Sequence, residues 1–247
     1  MLAILVPSRK RPEQLKRMIE SVAVTTNLPI AIYVGLTSEE HMMDNEDNPY
    51  FKWVNEFYIK HNKRIQIGTL FFPDNLPTAQ KWNNLAEYAM KDPAIKLFML
   101  GADDMYFTTP LWDEALIEHY EALECKLHVY ALQDSRDSEG TPHPIMTREW
   151  VESLGYFVPP IFLHWKIDSW TVENAKFNEV FTHLKEFLLV HDKCNDKGLP
   201  DETHNKIRQS GWWERDMYVA KHCLAYLHHD IKRIHDIIEI TMGRIVL

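Results

Sequence analysis

A chain of 247 residues is long enough for one large α/β domain or two small ones. Its 45% hydrophobic and 26% charged residues exclude a disordered or collagen-like polypeptide. Only 8 glycines, about 3% against a usual ~7%, argue against a turn-rich many-stranded sandwich. With 27 basic and 36 acidic residues the net charge is −9, so any nucleic-acid contact would have to rest on a local basic patch. Three widely spaced cysteines (Cys125, Cys194, Cys223) imply no disulfide framework and suit a reducing compartment. No apolar run reaches the ~20 residues of a membrane span, and the opening apolar stretch meets Pro7 and a basic cluster at once, unlike a signal peptide. The expectation is a soluble, cytoplasmic protein with no integral membrane contact.

In chain order, Leu2 to Val6 is wholly apolar, as a strand covered on both faces must be. Pro12 suits a first helical turn, and Leu15, Met18, Ile19 and Val22 follow at helical spacing. A second strand, Ile30 to Leu36, completes a βαβ unit. Acidic Glu39 to Asp47 reads as a solvated loop, and Phe51, Val54, Phe57 and Tyr58 mark a helix. Ile65 to Phe72 is a strand, Thr78 to Met90 a helix burying Trp82, Leu85, Ala86 and Ala89, and Lys96 to Leu100 a fourth strand. A helix carrying Leu111, Ala115, Ile117 and Leu123 leads to a fifth strand, Leu127 to Leu132. This alternation predicts a mostly parallel, doubly wound α/β sheet flanked by helices. Beyond residue 135 the pattern is less regular. A strand at Phe187 to Val190 leads into His191. A long final helix aligns Met217, Ala220, Leu224, Leu227, Ile231 and Ile234 on one seam, packed on the sheet or, in a homodimer, on a second copy. No linker or repeat requires a second domain. The expected organisation is one domain over 1–247, with a nucleotide-binding half (1–135) and an acceptor-binding half plus C-terminal helix (136–247).

Ligands of open α/β sheets bind outside the carboxyl ends of the strands. Two chemically loaded segments lie at such ends. Pro7-Ser8-Arg9-Lys10-Arg11-Pro12 places three cations between two prolines beside a helix N-terminus, where phosphate is welcome, unless it is only a solvated turn. It lacks the glycines of a P-loop or a dinucleotide fingerprint. Gly101-Ala102-Asp103-Asp104-Met105 places two carboxylates at the mouth of a buried strand, which is costly unless a cation meets them or they cap a turn. Because neighbouring strand residues face opposite ways, one carboxylate is expected on a divalent cation and the other on a sugar hydroxyl.

These two segments, in this order and about ninety residues apart, resemble the motifs of GT-A glycosyltransferases, with family 2-like enzymes the nearest in pattern. Leu154-Gly155-Tyr156-Phe157 followed by Asp168 resembles that family's glycine-aromatic turn leading to a catalytic acid. Val190-His191 with Gly198 and Asp201-Glu202-Thr203 resembles its metal-binding histidine segment. The likeness covers roughly residues 1–205. It implies a GT-A (Rossmann-like) fold with a helical C-terminal region and an inverting, metal-dependent transfer of a sugar from a nucleoside diphosphate. By the same resemblance Pro7, Ser8, Arg9, Arg11 and Asp103 bind the nucleotide sugar, a UDP-sugar being favoured. Asp104 and His191 bind Mn²⁺ or Mg²⁺, and Asp168 is the general base. The sequence departs from the pattern at Met105 (no third acid), Ile167 (no acid before Asp168), Val190 (no Glu before His191) and Cys194.

Trp165 and Trp170 flank Asp168 and suit an acceptor platform or the core; Arg136, His143 and Arg148 lie in a polar stretch able to read the acceptor. A glycan or small molecule is the favoured acceptor, with nucleic acid the minority alternative. Spacing speaks against zinc at His191, Cys194, His222 and Cys223, and His228, His229 and His235 read as ordinary residues of the last helix. Two rival functions remain: a nucleotidyltransferase on a related fold, and a non-catalytic nucleotide- or sugar-binding module.

Overall fold

The computed structural model describes residues 1–37, 49–61, 64–137, 139, 142–192, 205 and 209–243. The expected loop Glu39 to Asp47, Cys194, Gly198 and the Asp201-Glu202-Thr203 run lie outside them. The elements are β1 (Leu2–Pro7), α1 (Pro12–Thr25), β2 (Ile30–Thr37), α2 (Pro49–Lys60), β3 (Ile65–Phe72), α3 (Thr78–Ala89), β4 (Leu97–Leu100), β5 (Met105–Phe107), α4 (Trp112–Ala122), β6 (Val129–Asp134), β7 (Ile145–Thr147), α5 (Arg148–Leu154), α6 (Ile167–Phe177), β8 (Phe181–His191), α7 (Trp212–His222) and α8 (Leu224–Thr241).

They build an eight-stranded mixed sheet in the order β3-β2-β1-β4-β7-β6-β8-β5. β1 pairs in parallel with β2 and β4, and β2 with β3. β7 runs antiparallel between β4 and β6, β8 returns parallel to β6, and β5 pairs antiparallel with β8. All strands except β5 and β7 therefore share one direction. The carboxyl ends of β1, β4, β6 and β8 reach a single edge of the sheet.

Strand alternation explains the continuous apolar run of β1. Leu2, Ile4 and Val6 pack with Leu15, Met18, Ile19 and Val22 of α1 and with Trp112 and Leu116 of α4 on one face. Ala3 and Leu5 pack on the other with Trp82 and Leu85 of α3, Trp150 of α5, Trp170 of α6 and Ile231 and Ile234 of α8. The small Ala3 and Ala31 give α3 room to approach. Its Trp82 indole N–H is shared between the carbonyls of Leu5 and Gly101 at 3.1 and 3.2 Å, tying the end of β1 to the turn after β4.

The structure departs from the sequence-based reading at several elements. β5 and β7, three residues each, were not expected; such short strands carry no alternation to read. β8 is much longer than Phe187 to Val190. Its early half (Phe181–Lys185) has no buried stripe: only Leu184 is buried there. Leu111 is not an inward-facing helical residue. It caps α4 from outside with φ 64° and is exposed. The long final helix is two helices, broken at Cys223 (φ −109°, ψ 31°). Only Leu227, Ile231 and Ile234 of the expected seam are buried, while Leu224 is half exposed. The break lets α7 and α8 take different directions against the sheet. Among the described residues no helix is long and apolar enough to cross a membrane.

Gly101 marks the closest backbone approach behind the sheet edge. A Cβ there would lie 2.8 Å from the Cγ2 atoms of Ile4 and Val6 and 2.9 Å from the Leu5 carbonyl oxygen. Those neighbours are backbone and branched core side chains with no room to give. Gly101→Ala is expected to lower the unfolding free energy by about 1–3 kcal/mol in urea titration, the usual range for overpacking a core.

Candidate functional site

At the shared edge of the sheet lies a cleft of about 700 Å³. The loop after β1 enters it first. Ser8 is buried and held by its N–H to the Gly35 carbonyl at 2.9 Å. Its hydroxyl donates to Asp103 Oδ2 at 2.7 Å. Arg11, the residue before α1, donates from Nη1 to Asp103 Oδ1 at 2.9 Å and stands 3.5 Å from Asp104 Oδ2. Arg9 donates from Nε to Asp74 Oδ1 at 2.7 Å.

Asp103 and Asp104 do not obey strand alternation. They occupy a turn between β4 and β5, so both carboxylates reach the same guanidinium nitrogen. Both are buried. Burial, joined by the charge of Asp104, pushes the Asp103 carboxyl up to about 6, against the pull of Arg11 and the Ser8 hydroxyl.

His191, the last residue of β8, stands between two carboxylates: Nε2 lies 3.6 Å from Asp104 Oδ1 and Nδ1 3.6 Å from Asp134 Oδ2. Asp134 ends β6 and accepts the Arg136 N–H at 2.7 Å through Oδ1. Burial raises its pKa, but the neighbouring His191 ring, the Arg136 N–H and the His143 ring outweigh it and hold the carboxyl below its usual range. His143 sits beside His191 with ring centroids 5.0 Å apart. Its Nδ1 is 3.0 Å from the Leu100 carbonyl oxygen, which can only accept, so Nδ1 carries the proton and Nε2 is a bare lone pair. Burial and the neighbouring His191 push its pKa down to about 4, which keeps the ring neutral.

Ligand atoms of Asp134, His143 and His191 all lie within 4.8 Å of one another. Asp134 Oδ2 and His143 Nε2 are buried without a hydrogen-bond partner. Buried lone pairs of this kind are what a cation would satisfy, so the residues fit a metal. Asp104 faces the opposite nitrogen of the same imidazole. One ring therefore offers a cation two positions, next to Asp104 through Nε2 or next to Asp134 and His143 through Nδ1.

On the far side, α6 begins at Ile167, with Asp168 in its first turn. Burial pushes the Asp168 carboxyl up, countered in part by the Ser169 N–H at 2.7 Å and by Lys166. Trp165 lines the cleft, set edge-on against Trp213 at 4.9 Å. Arg136 lines it too and donates from Nε to the His191 carbonyl at 3.1 Å.

The cleft thus gathers Pro7, Ser8, Arg9, Arg11, Asp103, Asp104, Arg136, Trp165, Asp168 and His191. It does not gather Trp170, which is buried against Phe162 and donates its indole N–H to Asp230 at 3.2 Å. Of the two polar residues placed beside Arg136, His143 reaches the cleft. Arg148 instead binds the carbonyls of Ile95 and Asp92, away from it. Asp74, Lys81, Asp134, Lys166 and Trp212 line or back the site without having been singled out from sequence. Asp134 had a legible signal: like Asp103, it is an acid at the carboxyl end of a buried apolar strand.

No protein-family model and no curated protein matches this sequence. Solved structures do match its fold. The mannosyltransferase PcManGT from Pyrobaculum calidifontis, in complex with GDP-Man and Mn²⁺, aligns over 100% of this chain and 76% of its own, with TM-score 0.57 and 11% identity. S. aureus TarS 1–349 aligns over 79% of this chain with TM-score 0.53 and 11% identity, and its complex with UDP-GlcNAc over 78% with TM-score 0.52 and 12% identity. This chain spans 61% and 59% of those two TarS chains. At such identities the likeness is one of fold, and the fold is the GT-A, Rossmann-like one.

The neutral, buried His143 makes acid stability a probe of the site. The unfolded chain takes up its proton near the ordinary value of 6.5 and the folded one only near 4, so this contribution is present above about 6.5 and is lost as pH falls toward 4. With chelator present, His143→Gln should remove this part of the pH dependence: in urea titrations the stability difference between wild type and variant changes between about pH 6.5 and 4 and is constant above pH 7.

Proposed function

We propose that this chain is a glycosyltransferase that moves a sugar from a nucleoside diphosphate to an acceptor hydroxyl. The observation that carries the reading is the convergence on one cleft of the cationic loop after β1, the buried Asp103-Asp104 turn after β4, and the imidazole–carboxylate cluster at the ends of β6 and β8. A GT-A fold by itself supports no more than a shared architecture. A leaving nucleoside diphosphate is a polyanion, and this arrangement meets it with guanidinium groups and a cation site.

In this reading residues 1–135 hold the nucleotide and residues 136–247 the acceptor, within one domain. Ser8, Arg9 and Arg11 face the base and phosphates beside the N-terminus of α1, where the helix dipole favours anions. Asp103, oriented by Ser8 and Arg11, accepts from ribose or sugar hydroxyls. Asp104 and His191 Nε2 would hold the divalent cation, and Asp134 would fix the ring through Nδ1 as carboxylates do behind metal-bound imidazoles. A donor set of imidazole and carboxylate suits Mn²⁺ better than Mg²⁺, which prefers an all-oxygen octahedron. When bound, the cation neutralises charge developing on the departing diphosphate. Asp168, whose raised pKa brings it nearer to neutrality, takes the proton of the attacking hydroxyl across the cleft. Attack from that opposite face inverts the anomeric centre, as the resemblance implies. Trp165 and Arg136 border the acceptor space. PcManGT was captured with GDP-Man and TarS with UDP-GlcNAc; a UDP-sugar is the first donor to test here.

Thermal unfolding against UDP, GDP, CMP and dTDP, with and without Mn²⁺, is expected to show metal-dependent stabilisation by one diphosphate. A hundredfold excess over Kd contributes about 2.7 kcal/mol. No shift with any of the four would transfer the weight to a binding module of another kind. Asp104→Ala should lose turnover and the metal-dependent part of the shift. If Asp134→Ala alone removes metal binding, the cation sits on the Nδ1 side instead.

Asp168→Asn should leave diphosphate affinity within about twofold yet lower transfer by a factor on the order of 10² or more, the range for a lost general base. Undiminished transfer in that variant would place the base elsewhere. Proton coupling at the product's anomeric carbon reads the stereochemistry, with inversion expected.

A further inference from the structure

Asp216, in α7, is fully buried at 0% exposure and stands behind the cleft, not among the residues that line it. Its carboxylate accepts from three consecutive backbone N–H groups. Leu163 donates at 3.0 and 3.1 Å to the two oxygens, and His164 and Trp165 each donate at 2.8 Å to Oδ2. Arg215 Nη1 closes the arrangement, donating at 2.9 Å to Asp216 Oδ1 and at 2.8 Å to the Ile161 carbonyl.

The segment from 161 to 166, the last part of the connection from α5 to α6, has no helix or strand pairing, so its N–H groups need partners of another kind. Three successive N–H groups aimed at one point form an anion-binding concavity, and a buried carboxylate is stable only when its lone pairs are filled in this way. The two requirements answer each other across 51 to 53 residues of chain. The Leu163 carbonyl accepts from the Ala79 N–H at 3.0 Å, pinning the same segment to the start of α3. With its amides drawn toward Asp216, the segment presents His164, Trp165 and Lys166 to the cleft and delivers the chain to Asp168 two residues later. Trp212, one turn before Asp216 on α7, lines the cleft beside them.

We infer that Asp216 is a positioning residue: it clamps the 161–166 segment to α7 and so sets the acceptor-side wall and the placement of the Asp168 base. This rests on the glycosyl-transfer reading for its functional consequence, whereas the clamp itself does not. A side chain that acts only through others should change turnover without changing the donor's binding.

The test is Asp216→Asn, which keeps the shape, removes the charge and, whichever way the amide is turned, sets an N–H₂ group against at least one of the N–H donors. Site-resolved amide exchange on the full chain, without nucleotide, should show Leu163, His164 and Trp165 exchanging at least about tenfold faster, with the amides of β1 and β4 unchanged. Hydrolysis of UDP-GlcNAc or GDP-Man, whichever the wild type accepts, should lose about tenfold or more in kcat at a donor KM within about twofold. Asp216→Glu, which keeps the carboxylate, should recover part of both. Unchanged exchange at those three amides overturns the clamp. A raised donor KM at unchanged kcat overturns its role in placing the base. Should the Asn variant not fold, Arg215→Ala at its half-exposed side chain releases the Ile161 carbonyl and the Asp216 oxygen that Leu163 N–H shares, and the Leu163 amide should exchange faster; an unaltered rate there also overturns the proposal. A wild type that binds no nucleoside diphosphate would instead refute the glycosyl-transfer reading, and the exchange rates would still decide the clamp.

Discussion

A guanidinium held between two buried carboxylates organises this protein. Arg11 belongs to the loop leaving β1, and Asp103 and Asp104 belong to the turn leaving β4; they meet at 2.9 and 3.5 Å across more than ninety residues of chain. None of the three charges is tolerable alone at that depth, since an isolated buried charge is far more costly than a paired one. The contact is possible only because β1 and β4 are adjacent and parallel. It also leaves a formal excess of one negative charge against one cation. That excess is a standing invitation to a further cation, and His191 and Asp134 stand where one would be received.

From this centre the electrostatics divide the cleft. The side built by β1 and its loop is cationic where a diphosphate would lie. The side built by β6 and β8 brings carboxylates and imidazoles. The wall carrying Asp168 is aromatic and partly apolar, and there burial prevails and raises the carboxyl's pKa. Asp134 and Asp168 are both buried acids, yet their pKa values move in opposite directions. Imidazoles and a backbone N–H surround the first, while the second has little to offset its desolvation. Two carboxyl groups set apart in this way are what a reaction with separate electrostatic and proton-accepting roles requires.

The central half of the sheet was legible because its strands are buried on both faces and so must be apolar throughout: Leu2 to Val6, Ile30 to Leu36 and Lys96 to Leu100 could be placed from hydrophobicity alone. The carboxyl-end rule then pointed to Ser8, Arg11, Asp103 and Asp104 without any contact being known. The edge half was not legible. β5 and β7 are too short for a period, and the early part of β8 has little buried surface to pattern its side chains. Trp165 and Trp170, five residues apart and both beside Asp168, looked equivalent in sequence. Helix geometry separates them, turning Trp170 inward to Asp230 and leaving Trp165 at the cleft.

The amino-acid order by itself determined the fold class, the strands that form the spine, and the chemical character of the two loops at their ends, because burial and charge act on residues one at a time. Tertiary structure alone decided which groups meet. Asp134 and His143 come within reach of His191 only when β7 reverses between β4 and β6. Asp216 acquires its place only when α7 folds back over the 161–166 segment. Such pairings depend on strand order and helix direction, which are set by the packing of the whole core and leave no local trace in the chain.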